Sequence, residues 1–117
     1  MFIETRSAEQ LGRYLDLATT AARLTAQNMA NVDTPGYQAA SIDFDAEMRA
    51  ALSHNGTSAA PQIIHEAGLV SRPDGNNVSM DRESLNLAEA QLKFRTGVSL
   101  LRLQNQMVLD AIHADGK

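Results

Sequence analysis

The side chains best suited to moving a proton or holding a metal near neutral pH are the three histidines, His54, His65 and His113, because imidazole changes charge in that range. Their spacing gives them no partners: the chain contains no His-Glu-x-x-His pair, and a proton-transfer site needs a second group within hydrogen-bond reach. Asp43, Asp45 and Glu47 alternate like the first ligands of a calcium loop. Such a loop demands Gly at its sixth position and a bidentate Glu at its twelfth, where this chain has Met48 and His54. The lack of cysteine removes thiol nucleophiles, disulfides and thiolate metal sites. Asn77-Val78-Ser79 spells a glycosylation acceptor, a pattern too common to carry weight, and no Gly-rich phosphate loop occurs. With 14 acidic against 10 basic residues and a net charge of −4, the chain offers no basic face for nucleic acid. These residues predict a protein that is not an enzyme and that has no catalytic residue, cofactor or metal.

The more informative group is polar but not catalytic. Asn28 and Asn31 stand one helical turn apart and are followed by Val32-Asp33-Thr34-Pro35-Gly36-Tyr37. Thr34-Pro35-Gly36-Tyr37 suits a type II turn, in which Pro presets φ and Gly takes the positive φ. Carboxamides next to it can satisfy the last carbonyls of a helix that ends there.

Two long elements must position this cluster. Leu11, Leu15, Ala18, Ala22, Thr25, Met29 and Val32 step by four and three residues, which predicts a helix from Ser7, as N-cap, to about Asn31 with one stripe turned to a partner helix. Tyr14, Leu17, Ala21, Leu24 and Asn28 form a second stripe beside it. Leu87, Gln91, Phe94, Val98, Leu101, Asn105, Val108 and Ile112 repeat the spacing, so a second helix is expected from a Ser79 N-cap to about Ala114, with Asp81 and Glu83 favourably placed in its first turn. Between them, Ile42–Leu52 suits a short helix, Ile63-Ile64 and Leu69-Val70 short extended pieces, and His54–Pro61 a Ser- and Gly-bearing loop.

The expected fold is all-α, with long N- and C-terminal helices paired as an antiparallel hairpin or coiled coil around an irregular central linker. Each helix carries apolar residues on more than one stripe, and a two-helix hairpin covers one stripe per helix. Burial stabilises by roughly 25 cal/mol per Å² while ordering costs about 1–2 kcal/mol per residue, so a lone hairpin with Ala-rich seams is marginal. Neighbours are therefore expected. Met1-Phe2-Ile3-Glu4-Thr5-Arg6 lacks the basic and apolar regions of a cleaved secretory signal, and no apolar run approaches the roughly 20 residues that span a bilayer.

Leu24-Thr25-Ala26-Gln27-Asn28-Met29-Ala30-Asn31-Val32-Asp33-Thr34-Pro35-Gly36-Tyr37 resembles the N-terminal signature of the bacterial flagellar rod and hook axial proteins, in which Asn-x-x-Asn precedes Thr-Pro-Gly-Tyr. Gly75-Asn76-Asn77-Val78-Ser79-Met80-Asp81-Arg82-Glu83 and the following Leu87–Arg95 look like the proximal rod members of that family. The resemblance covers about residues 8–50 and 75–113. It implies residues 1–35 and 79–117 as the paired helices of an inner-tube domain, with 36–78 as turn and linker. It further implies a torque-bearing structural subunit that assembles helically with copies of itself, other rod proteins and the membrane-ring base. Export through the flagellar type III apparatus, without a cleaved signal, would place it in the periplasmic rod. The assembly motif would be Asn28, Asn31, Thr34, Pro35, Gly36 and Tyr37. The seam contacts would be Leu11, Leu15, Ala18, Ala22, Met29, Leu87, Phe94, Val98, Leu101, Val108 and Ile112. The alternative is a cytoplasmic helical adaptor or regulator that folds as a compact dimer.

Overall fold

The computed structural model describes residues 2–53, 59–66 and 68–115. Three helices and two short strands follow in the order α1 (Phe2–Ala30), β1 (Ala40–Ile42), α2 (Phe44–Ser53), β2 (Ile63–His65) and α3 (Met80–Asp115). α1 and α3 pair along their length as an antiparallel hairpin: Asn28 near the end of α1 meets Glu83 near the start of α3, and Tyr14 and Leu15 meet Gly97. At 1.5 Å per residue the 29 and 36 residues of these helices give rods of about 43 and 54 Å. The molecule accordingly measures 70 × 25 × 15 Å. Its radius of gyration is 18.3 Å, against about 13 Å for a compact domain of this length.

The helix boundaries have local causes. α1 begins at Phe2 and not at Ser7 as the capping pattern suggested, because Phe2-Ile3-Glu4-Thr5-Arg6 contains no Gly or Pro to stop it. It ends where Asn31 Nδ2 donates to Gln27 O at 2.8 Å and Thr34 Oγ1 donates to Asn31 Oδ1 at 3.1 Å. The Thr34–Tyr37 turn closes with Tyr37 N donating to Thr34 O at 3.2 Å, and Gly36 has φ 74°. At the start of α3, Ser79 Oγ accepts from Arg82 N and Asp81 and Glu83 occupy the first turn, which suits the helix dipole.

The linker has more structure than an irregular segment. β1 and β2 pair antiparallel in the register Ala40↔His65, Ser41↔Ile64, Ile42↔Ile63, and α2 lies against α1 between them. Leu69-Val70 does not join this sheet, and the sheet among the described residues has two strands. Residues 54–58 of the expected loop lie outside the described residues.

The apolar core is thin. Leu17, Ala18, Leu24, Ala39, Ala40, Ala51, Val78 and Ala90 are its buried apolar residues, most of them alanine. A Cβ on Gly97 of α3 would stand 2.7 Å from Leu15 Cδ2 and 3.0 Å from Tyr14 Cδ1 of α1. The bare backbone of α3 at Gly97 therefore admits the side chains of Leu15 and Tyr14 from α1.

Candidate assembly site

The end of the hairpin where the chain turns is held by carboxamides. Asn28, fully buried, makes four hydrogen bonds. Its Nδ2 donates to Ala40 O at 2.9 Å and to Glu83 Oε2 at 3.1 Å. Its Oδ1 accepts from Ala40 N at 2.9 Å and from the Tyr37 hydroxyl at 3.0 Å. The side chain thus bonds Ala40 as a neighbouring strand would, and it also ties α1 to α3. Burying a carboxamide is tolerable only when each polar atom finds a partner, and Asn28 meets that condition in full.

Asn77 does the same for the sheet. Glu66 N donates to Ala39 O at 2.8 Å, but the reciprocal bond is replaced. Ala39 N donates to Asn77 Oδ1 at 2.6 Å, and Asn77 Nδ2 donates to Glu66 O at 2.7 Å. One side-chain amide stands in the ladder where a direct bond would otherwise run. Asn77 is 3% exposed, so the glycosylation acceptor it spells is closed in the folded chain.

Asn76 Nδ2 donates to Asn31 O and Thr34 O, both at 2.8 Å, while its Oδ1 accepts from Val78 N. Gly36 N donates to Asp74 O at 2.9 Å. The two turns face each other so closely that a Cβ on Gly75 would lie 3.4 Å from Gly36 Cα, and Gly75 itself has φ 84°. Arg72 also donates to Val32 O.

Glu83 is 2% exposed. Its carboxylate sits in the first turn of α3, where the dipole favours a negative charge, and accepts from Asn28. Burial first, and the Glu83 charge second, raise the Tyr37 phenol above its ordinary pKa; burial likewise raises that of Tyr14. Tyr37 stays a neutral donor throughout the physiological range.

Of the residues expected in the motif, Asn28, Asn31, Thr34 and Tyr37 meet in this clasp, whereas Pro35 and Gly36 shape the turn and are exposed. Sequence reasoning missed the buried roles of Asn76, Asn77 and Glu83. The available signal was a second carboxamide pair directly after a turn glycine, placed to face the first pair once the helices run antiparallel.

The seam residues fall into two sets. On α1, Ala18 is buried and Leu11, Leu15, Ala22 and Met29 are half-buried. On α3, Leu87, Val98, Leu101 and Val108 are half-buried, while Phe94 and Ile112 are exposed, Ile112 at 60%. Leu85, Leu92, Leu103 and Met107 are exposed on another flank of α3, roughly opposite Phe94 and Ile112 at 3.6 residues per turn. Near the free end, Leu11, Tyr14, Met48, Leu52, Leu100 and Met107 are among the residues lining an open groove of about 670 Å³. Among the described residues no group of acidic or histidine side chains could hold a metal ion, and no helix is long and apolar enough to cross a membrane.

No family model matches the chain. Curated relatives do. The flagellar basal body rod protein FlgB of Cereibacter sphaeroides is 34% identical over 92% of this chain and 96% of its own length. The chain belongs to the FlgB family. The FlgB of Proteus mirabilis is 32% identical over 77% of the chain and 81% of its own length, and that of Salmonella typhimurium 29% over 84% and 86%. FlgB membership agrees with the flagellar signature around Asn28–Tyr37 and sets aside the cytoplasmic adaptor. For a FlgB chain, the exposed apolar flank of α3 is the feature that asks for a functional account.

Proposed function

We propose that this chain is a non-enzymatic structural subunit of the flagellar basal-body rod and that it assembles helically with copies of itself and with other rod proteins. In this reading residues 1–35 and 79–117 form the inner-tube pair and 36–78 the linker. Leu11, Leu15, Ala18, Ala22, Met29, Leu87, Phe94, Val98, Leu101, Val108 and Ile112 contribute to packing within and between subunits. The Asn28–Tyr37 motif holds the linker at a fixed attitude to its neighbours. The subunit joins the membrane-ring base to the more distal rod, reaches the periplasm through the flagellar type III export apparatus, and passes torque along its paired helices.

One observation carries this reading: large apolar side chains line the outer flank of α3, with Leu92 66% and Leu103 58% exposed. Contiguous exposed apolar surface of this kind marks an interaction site, and the relatives' name supplies the assembly. The test replaces the FlgB gene of a motile bacterium with this one and introduces Leu92→Asp and Leu103→Asp. Because both side chains are exposed in the single chain, the purified variants should keep their helix content by circular dichroism while rod assembly and swimming are lost. Normal swimming of both strains would remove the flank from the assembly.

A further inference from the structure

Strand β1 has two polar edges, and one of them is only partly used. Glu66 N donates to Ala39 O, which sets the phase of the antiparallel ladder. Ala39 and Ser41 turn their N–H and C=O groups toward β2, and Ala40 and Ile42 turn theirs away from it. On that far edge the Asn28 carboxamide takes both groups of Ala40, at 2.9 Å each. Ile42 offers the same donor and acceptor on the same side, and among the described residues neither finds a partner.

Ile42 borders a cleft of about 210 Å³ between β1, α1 and α3. Its walls are firm. Leu17 and Leu24 are buried on the face of α1 that also carries Tyr14 and Asn28. Asn28 holds Ala40, and Tyr14 meets Phe44 at 5.2 Å, so the chain is fixed on either side of Ile42. Thr25 lines the cleft and is 5% exposed, yet its hydroxyl makes no hydrogen bond among the described residues. Thr19 and Thr20 of the same helix, by contrast, donate to carbonyls four residues back at 2.9 Å. The Asn86 carboxamide, half-buried on the α3 wall, is equally unbonded among the described residues. Charge is balanced here: Arg82 pairs with Glu66 at 3.0 Å and Lys93 with Glu89 at 3.5 Å. Sequestered polar groups without partners are costly, and this set calls for an uncharged group that both donates and accepts.

We propose that this cleft is a docking site for a carboxamide, the Asn or Gln side chain of a neighbouring subunit, which completes the strand edge at Ile42 as Asn28 completes it at Ala40. A side chain fits where an added strand does not, because the open edge is one residue wide. Ala40 is already occupied, and Asp43 caps α2 by accepting from Ala46 N at 3.1 Å. Rod assembly supplies the neighbour, so the source of the carboxamide rests on the proposed function; the site itself does not.

Titration of the intact chain with propionamide, which reproduces a glutamine side chain, tests the site by NMR. The Ile42 amide and the Asn86 side-chain NH2 signals should shift and saturate with a Kd on the order of 10 mM. Propionate and propylammonium, of similar size but charged, should give no saturable shift there. Thr25→Val, which keeps the shape of the side chain, and Asn86→Leu should each weaken binding by about tenfold, while the turn signals of Gly36 and Gly75 stay in place. Shifts that never saturate, equal shifts from the charged analogues, or undiminished binding in both variants would overturn the proposal and leave the cleft to water. In the bacterium carrying this gene, Asn86→Leu should reduce swimming where Leu92→Asp and Leu103→Asp abolish it. Full swimming of Asn86→Leu beside loss in the other two would reject the cleft as an assembly contact and leave the rod reading standing.

Discussion

The two ends of the hairpin solve opposite problems. At the turn end, Asn28, Asn76 and Asn77 satisfy one another's surroundings with bonds of 2.6–3.1 Å, and the clasp is complete within one chain. At the free end, Leu103, Met107 and Ile112 remain exposed beside an open groove, with none of the described elements covering them. Unpaired buried polar groups cost more than exposed apolar ones, so the polar end has to be finished internally, while the apolar end can wait for a neighbour. The subunit is therefore self-sufficient where its shape is set and incomplete where it meets others.

The comparison breaks most sharply at Asn28. Asn28→Ala strands Ala40 N, Ala40 O and the Glu83 carboxylate, at roughly 1–3 kcal/mol for each group left buried without a partner. Chemical denaturation should show a loss of about 3 kcal/mol or more. Next comes Gly36→Val: a β-branched residue at φ 74° should cost about 2 kcal/mol, with motility reduced although expression is normal. Swimming and stability equal to wild type would take the turn out of the account.

Tyr37 gives a smaller, pH-dependent effect. Its folded pKa is raised, so the native state holds the phenolic proton more tightly than the unfolded chain. That stabilisation is whole below the unfolded value of about 10 and is lost as pH rises through the native one. Tyr37→Phe should cost about 1 kcal/mol at pH 7, and the gap from wild type should shrink above about pH 10; a constant gap in pH-dependent melts would contradict it. The smallest effect belongs to the free end. Met107→Gln with Leu103→Gln should change monomer stability by less than about 0.5 kcal/mol yet weaken self-association in sedimentation. Unchanged association would separate the groove from assembly.

Periodicity made the long helices and the turn legible. The four-and-three spacing from Leu11 to Val32 and from Leu87 to Ile112, with Pro35-Gly36 between, was enough for an antiparallel pair. The short helix near Ile42–Leu52 and the extended Ile63-Ile64 were also readable, from Phe44, Met48 and Leu52 on one face and from β-branched residues in sequence. The pairing of β1 with β2 was not. Asn77 bridges the end of that ladder from 11 residues beyond Glu66 and 38 beyond Ala39, and nothing local announces such a contact. Apolar spacing also could not tell that α3 meets Tyr14 and Leu15 of α1 at Gly97. Small residues score weakly as core, yet the steric limit at Gly97 decides which stripe turns inward.

The order of apolar and turn residues by itself determined two long helices, their antiparallel return and an excess of apolar perimeter, because these follow from periodicities of a few residues and from the fixed φ preferences of Pro and Gly. Only the tertiary structure decided that Asn28, Tyr37, Asn77 and Glu83 share one buried network and that Phe94 and Ile112 face outward. Those outcomes depend on the distance and rotation between two helices, which are set by the bulk that Gly97 lacks and by hydrogen-bond partners up to 55 residues away.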